Sequence, residues 1–468
     1  MDDKAAAGSD SPATVPDPHT LPRVLGRFDA ITVVVGSIIG SGIFLKAGQV
    51  AAGLQSFGLV IAVWVFVGLV TLCGSLALAE LAAMLPHAGG PYVYLREAYG
   101  RLPAFLWGWT EFWIIRTGSL GALACATVIY MNVLVPMSRG AQEAVAIAIV
   151  VGLSVINVIG TRWGANVQNA TTVIKVGFLA VLICLPSLLG KTDTGNLTPM
   201  WPQTVDVSLW KVLGLAMIAV LWPYDGWINI APISEEIRNP QRNVPIALGL
   251  GMLIVIGAYV GAVASYHLVL PYDQVAKSSA IASDVCQQMF GGWGARIAAI
   301  GVMCSTFGAV NSNMLTGPRI YFAMARDGLL PEAVRQVHAR FQTPANAIVM
   351  QCVWTVILTA IVFARKSGPA DEVKDAFDAL TDFVIFGGQI FYALAVGTVF
   401  VFRARMPDLP RPYRTWGYPF TPALYLTAFI AAIISLFVKD PIQSASGLVL
   451  IASGAVYYAW ASRRSVPS

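Results

Sequence analysis

The chain has 468 residues, of which 56% are hydrophobic and only 12% charged, where a soluble domain carries about 25% charged residues. Together with a mean hydropathy of +0.68, this excludes a soluble globular protein and predicts an integral membrane protein. The formal net charge of +5 follows from the loop pattern described below and gives no reason to expect a nucleic-acid partner.

Residues 1–23, "MDDKAAAGSDSPATVPDPHTLPR", are acidic at the start, rich in Pro and Ser and without an apolar core. They predict a disordered cytoplasmic tail and lack the basic-then-apolar order of a cleaved signal peptide. A single transmembrane domain over 24–464 follows. Its apolar stretches are long enough at 1.5 Å per residue to cross a ~30 Å hydrocarbon layer. They fall at 28–52, 58–85, 102–135, 142–159, 166–189, 208–232, 245–270, 294–325, 345–364, 377–402, 420–438 and 442–460. The reading is an all-α integral membrane protein with twelve transmembrane helices. An even number puts both termini on one side, and roughly 18 basic residues against 10 favour that side as cytoplasmic.

The six cysteines carry no metal-ligand spacing. Cys73, Cys125, Cys184, Cys304 and Cys352 fall in predicted spans and Cys286 in an outer loop, so they read as small apolar residues, and no metal or other cofactor is expected.

The first span contains "VVVGSIIGSGIFL" (33–45). Gly36 and Gly40, four apart, form a small-xxx-small surface suited to close helix packing. Gly40, Ser41 and Gly42 add adjacent weak helix formers beyond what packing requires, and so predict a break. In hydrocarbon, backbone groups freed by a break are tolerated only where they line a cavity. The sixth span, "GLAMIAVLWPYDGWINIAPISEE", repeats the interruption: Pro223 lacks an N–H, Asp225 is a charge at membrane depth, and Gly226 permits an unusual backbone angle. Two interrupted helices in matching positions of two five-helix halves point to an inverted-repeat transporter with a midplane site. Freed N–H groups suit a carboxylate and freed carbonyls an ammonium, a combination that a zwitterionic α-amino acid matches. Trp222 is placed to cover the bound solute.

Other charged residues in the spans need separate readings. Lys175, in "VQNATTVIKVGFL", lies too deep in the fifth span for easy escape to an interface, so it reads as functional. Arg116 either pairs with Glu111, five positions away, or reaches an interface. Glu80 and Asn311 either line an aqueous path or are satisfied packing groups. Glu235 and Glu236, beside Arg238 and Arg242, read as a cytoplasmic salt-bridge network able to latch a closed state.

Six segments, "VGSIIGSGIF" (35–44), "PHAGGPYVYLREAYG" (86–100), "EFWIIRTGS" (111–119), "SEEIRNPQRNVP" (234–245), "NSNMLTGPRIYFAMARDGLLP" (311–331) and "RARMPDLPRPYR" (403–414), resemble the amino acid-polyamine-organocation superfamily, in particular its L-type amino-acid transporter branch. The resemblance runs from about residue 24 to residue 460. It implies the leucine-transporter-type fold, with 28–189 and 208–402 as inverted repeats and 420–460 as helices 11 and 12. Carried over by position, Ile39, Gly40, Ser41 and Gly42 hold the substrate carboxylate, with Ser37 and Ile38 on the same break. Carbonyls of Leu221, Trp222 and Tyr224 accept from the ammonium, with Pro223, Asp225 and Gly226 on the same unwound segment. Trp222 occupies the place of a gating aromatic. In sodium-independent members a lysine matching Lys175 takes the position that a sodium ion fills elsewhere, which implies as its partners carbonyls around Gly36 and Ser37 and a hydroxyl such as that of Ser305, and Lys175, Ser305 and Asn311 join Trp222 as expected gating or coupling residues.

Two departures from the branch pattern stand out. The asparagine usual after "YDGW" is replaced by Ile228, with Asn229 following, and the proline usual after the third-span arginine is Thr117. The loop "VPMSRGAQ" has no cysteine, whereas animal heteromeric members use one there to bind a glycoprotein subunit, so no disulfide-linked heavy-chain partner is expected.

The function implied is a sodium-independent L-amino-acid transporter of the plasma membrane, an exchanger working by alternating access. A proton-coupled amino-acid, GABA or polyamine symporter on the same scaffold is the alternative, with Asp225 or Lys175 changing protonation. A nutrient sensor or membrane enzyme finds no support in a nucleophile elbow, phosphate loop or His/Cys/Asp cluster.

Overall fold

The computed structural model describes residues 20–202, 207–364, 372–439 and 441–464. A backbone in hydrocarbon must satisfy its own polar groups, which a helix does within one segment. Every regular element among the described residues is accordingly helical, and the one β-contact is an isolated parallel bridge between Leu25 and Ile237. Among the described residues, seven helical segments are long and apolar enough to cross a membrane, and shorter apolar helices occur at Leu209–Leu221, Ala345–Ile361, Phe420–Ser435 and Ser444–Trp460. This is the architecture of a multi-pass membrane protein. On the helix Ala345–Ala364, Val349, Val353, Ile357 and Ile361 form an exposed apolar stripe at four-residue spacing, as expected of a face turned to lipid.

The first predicted span divides into α1 (Arg27–Ile38), α2 (Gly42–Leu45) and α3 (Ala47–Leu54). Next come α4 (Phe57–Met84) and two shorter helices, α5 (Pro91–Tyr99) and α6 (Arg101–Thr110). A single π-turn, Glu111–Ile115, joins α6 to α7 (Arg116–Leu134). The chain continues with α8 (Arg139–Ile159) and α9 (Thr161–Leu188), then α10 (Val207–Leu221), which stops where the sixth span was expected to run on. A 3₁₀ segment, Trp227–Glu236, leads into α11 (Pro240–Val269).

The loop expected after α11 is itself helical, with α12 (Tyr272–Lys277) and α13 (Ile281–Phe290), and it buries Cys286 on α13. The eighth predicted span is two helices, α14 (Gly294–Thr316) and α15 (Pro318–Arg326), because Pro318 has no N–H to continue the ladder. The remaining helices are α16 (Ala345–Ala364), α17 (Glu372–Arg405), α18 (Phe420–Lys439) and α19 (Pro441–Arg464).

Packing places the two interrupted helices against each other. The segment α1 lies between α9, α11, α14 and the 3₁₀ segment, while α11 packs on α4 and α14 on α7 and α9. Residues 1–19 of the expected tail lie outside the described residues. Leu21, also within that tail, is buried against Ala88 and Phe322, and its N–H donates to Glu235 at 3.0 Å.

Candidate functional site at the paired helix breaks

The last regular hydrogen bond of α1 runs from Ile39 N–H to the Val35 carbonyl, and Ile39 itself is extended (φ −73°, ψ 90°). A helix end leaves its last carbonyls without intrahelical donors, and here side chains take them up. Lys175 Nζ donates to the carbonyls of Gly36 (2.9 Å), Ile39 (2.7 Å) and Ser305 (2.9 Å). An ammonium has three N–H donors, so this fully buried side chain is satisfied by backbone alone. The expectation of a Ser305 hydroxyl partner is corrected: Ser305 offers Lys175 its carbonyl, and its hydroxyl donates to Ile39 (3.1 Å) and Gly40 (2.9 Å). Ile39 also takes the place expected for Ser37, whose hydroxyl pairs with that of Ser312.

The second break begins after Leu221. Gly226 sits at φ +107°, a backbone region closed to most side chains, and the chain resumes as the 3₁₀ segment. The Trp222 carbonyl accepts from Asp225 N–H at 3.1 Å. The two breaks meet backbone to backbone. A Cβ on Gly226 would come within 2.7 Å of the Ser37 carbonyl oxygen, and one on Gly42 within 2.7 Å of Pro223 Cα. Tyr259 from α11 spans them, its hydroxyl lying 2.9 Å from both the Ile38 and the Pro223 carbonyls. Tyr224 packs beside it and donates to the Trp64 carbonyl at 3.1 Å.

A cavity opens where the breaks converge. Of the residues read from the sequence, Ser37, Ile38, Gly40, Ser41, Gly42, Trp222, Asp225 and Gly226 line it, and Ile39, Leu221, Pro223 and Tyr224 do not. Its volume is about 40 Å³, well above the ~10–15 Å³ that admits a water molecule. Two polar atoms at the cavity have no hydrogen-bond partner among the described residues: Ser41 Oγ and Asp225 Oδ1. Tyr392 shares the cavity wall with Asp225.

The remaining wall was largely unread in the sequence. Arg116 donates to Glu111 at 2.9 Å, to Asn229 at 2.8 Å and to Asn313 at 2.7 Å, and Arg116, Ser119, Asn229, Asn313 and Tyr392 all line the cavity. The pairing of Glu111 with Arg116, one of the two readings left open, is the one found. The polar group absent at Ile228 appears one residue on, since the 3₁₀ segment turns Asn229 to the cavity and buries Ile228.

Asn311 lies away from the cavity. It donates to the Gly164 carbonyl (2.9 Å) and Gln168 Oε1 (3.2 Å) and accepts from Asn157 (3.0 Å). Glu80 is likewise a satisfied group, held by Arg403 at 3.0 and 2.7 Å and by Thr415 N–H at 2.6 Å.

At the end of the molecule that carries the N-terminal segment, the expected partners of Glu235 and Glu236 are corrected. Glu236 pairs with Arg319 (2.7 Å) and accepts from Thr161 (2.7 Å). Glu235 accepts from Arg326, Ala88 N–H and Leu21 N–H. Among the described residues neither Arg238 nor Arg242 forms an ion pair with Glu235 or Glu236; Arg238 instead donates to the Arg23 carbonyl. Burial alone would raise the Glu235 pKa, but the hydrogen bonds from Arg326, Ala88 and Leu21 outweigh it and hold the carboxyl below its ordinary value.

Comparison with known proteins fits this geometry. The family described as "Amino acid permease" matches residues 25–459. The serine/threonine exchanger SteT of Bacillus subtilis (strain 168) is 32% identical over 449 residues, covering 95% of this chain and 98% of that protein. The human b(0,+)-type amino acid transporter 1 is 28% identical over 485 residues, covering 100% and 94%, and the human cystine/glutamate transporter 28% over 448 residues, covering 94% and 85%. These relatives are transporters, not enzymes. The chain belongs to the amino acid permease family, within the amino acid-polyamine-organocation superfamily.

Proposed function

We propose that the protein is a sodium-independent L-amino-acid exchanger of the plasma membrane, with both termini cytoplasmic and twelve spans arranged as a 5+5 inverted repeat plus two helices. The observation that carries this reading is the Lys175 ammonium held by three carbonyls at the break. A fixed cation there organises the freed carbonyls as a bound metal ion would, so no sodium is needed to order the site. The backbone N–H groups of Gly40–Gly42 receive the substrate carboxylate and the unwound segment at Leu221–Tyr224 its ammonium. The cavity between the breaks opens and closes to either side in an alternating-access cycle, and Trp222 closes over the solute.

Small neutral substrates come first. The cavity wall is lined by Ser41, Ser119, Asn229 and Asn313, and the similar Bacillus protein is a serine/threonine exchanger. No disulfide-linked subunit is part of this proposal. The test is uptake of radiolabelled L-serine, L-threonine and larger L-amino acids into proteoliposomes without sodium or a pH gradient. Uptake confined to vesicles loaded with unlabelled amino acid supports exchange. Uptake into empty vesicles that grows with an imposed proton gradient replaces it with proton symport, for which the unpartnered Asp225 Oδ1 is the candidate carrier.

A further inference from the structure

We propose that Gln168 is a positioning residue that catches α1 against α9 and sets how readily the first broken helix swings away. The proposal rests on the exchanger reading, in which α1 moves. Gln168, Thr172 and Lys175 lie four and three residues apart, on one face of α9, and all three meet α1. Lys175 takes the carbonyls of Gly36 and Ile39 at the break. Below it, Gln168 Nε2 (3.4 Å) and Thr172 Oγ1 (3.1 Å) both donate to the carbonyl of Thr32. Gly36 makes the approach possible, because a Cβ there would overlap both the Gln168 amide and the Thr172 hydroxyl.

The orientation of the Gln168 amide is imposed from behind. Asn311 on α14 donates to Gln168 Oε1, which turns Nε2 toward Thr32, and Asn157 on α8 donates to Asn311 Oδ1. Three fully buried amides thus run in one direction across α8, α14 and α9 to α1. Thr32 lies inside α1, where a carbonyl's second lone pair can take extra donors without serving the helix ladder. The contact is therefore long, directed and unnecessary for forming α1, which suits a catch. Neither Gln168 nor Asn311 lines the cavity, so substrate affinity does not pass through them. The gating role expected of Asn311 acts through Gln168.

The experiment compares wild type with Gln168→Met and Gln168→Leu, which keep the apolar bulk and lose both the donor to Thr32 and the acceptor for Asn311. Exchange of radiolabelled L-serine in proteoliposomes gives the maximal rate and half-saturation. A cysteine introduced at Val34, buried on α1, reports α1 departure by its alkylation rate against the same protein without it. Both variants are expected to exchange about five-fold faster, the equivalent of one neutral hydrogen bond, with half-saturation within about two-fold and faster alkylation. Unchanged alkylation, or half-saturation shifting as much as rate, in variants that keep wild-type thermal stability overturns the proposal. Wild type that does not exchange amino acids overturns the exchanger reading instead, and the alkylation rates still decide the role of Gln168.

Discussion

Arg116 donates to Glu111 across 2.9 Å although the two are five positions apart on one continuous helical segment. An α-helix places such residues on diverging faces. The π-turn at Glu111–Ile115 adds the residue that brings them together, and so delivers a buried, paired guanidinium to the cavity wall.

That pair yields a stability prediction. The other hydrogen-bond acceptors of Arg116, on Asn229 and Asn313, are neutral, so Glu111→Ala leaves a buried cation without its direct ion-pair partner. The expected cost is about 3–5 kcal/mol, read as a fall in the thermal unfolding temperature of purified protein. Glu111→Gln, which keeps an acceptor, is expected to cost less than half of that. Equal unfolding temperatures for wild type and Glu111→Ala would show that the pair does not hold the site.

Removing the ammonium at the break has a different signature. Lys175→Ala leaves the Gly36 and Ile39 carbonyls with fewer donors in a dry setting, each lost donor costing about 1–3 kcal/mol. Substrate affinity is expected to fall by about 10-fold or more, measured as half-saturation in exchange assays. Full transport with unchanged affinity would refute the role given to this lysine.

The glycines at the crossing of the breaks tolerate no side chain. Gly42→Val is expected to push Pro223 away and abolish binding of labelled amino acid, since even a Cβ would stand 2.7 Å from Pro223 Cα. Gly226→Ala combines a similar clash with the Ser37 carbonyl and a positive φ. Normal binding by either variant, assayed on protein that elutes as a single species, would rule out the close backbone crossing.

Tyr259→Phe deletes the hydroxyl that, among the described residues, reaches both breaks. The packing of its ring on Trp64 and Tyr224 is kept, so folding should survive while the exchange rate falls by about 10-fold. A transport assay beside a thermal melt separates the two effects.

Glu235 predicts a pH dependence with a definite sign. Its carboxyl is held below the ordinary value, which is about 4.3 in an unfolded chain. The stabilisation it supplies is therefore complete above about pH 4.3 and is lost as pH falls through the lowered folded value. Thermal melts of wild type and Glu235→Gln should differ by a constant amount from about pH 5 to 8 and converge in acid. A difference that grows on acidification would contradict the assignment.

The breaks were legible because each violates a local rule: Gly40–Ser41–Gly42 weakens a helix at membrane depth, and Pro223, Asp225 and Gly226 do so together. Lys175 was legible as an intramembrane charge, and the resemblance supplied its Gly36 carbonyl partner. Tyr259 was not, since an aromatic among apolar residues carries no sign of what its hydroxyl meets. The turn of Asn229 into the cavity depends on a 3₁₀ segment, and the Glu111–Arg116 contact on a π-turn. Both shift the helical phase by an amount that periodicity reasoning assumes to be zero. The partners of Glu235 and Glu236 were misassigned because sequence nearness favoured Arg238 and Arg242, whereas folding brings Arg319 and Arg326 from a helix more than eighty residues away.

The Glu235 carboxylate joins Leu21, Ala88 and Arg326, three segments distant along the chain. This sets a boundary for trimming and tagging. A chain shortened to begin at Thr20 keeps the Leu21 amide and the Leu25–Ile237 bridge. One shortened past Leu25 strips one donor from Glu235 and uncovers the apolar seat at Ala88 and Phe322. A fusion partner placed directly against Arg27 would act on that seat rather than on an inert terminus.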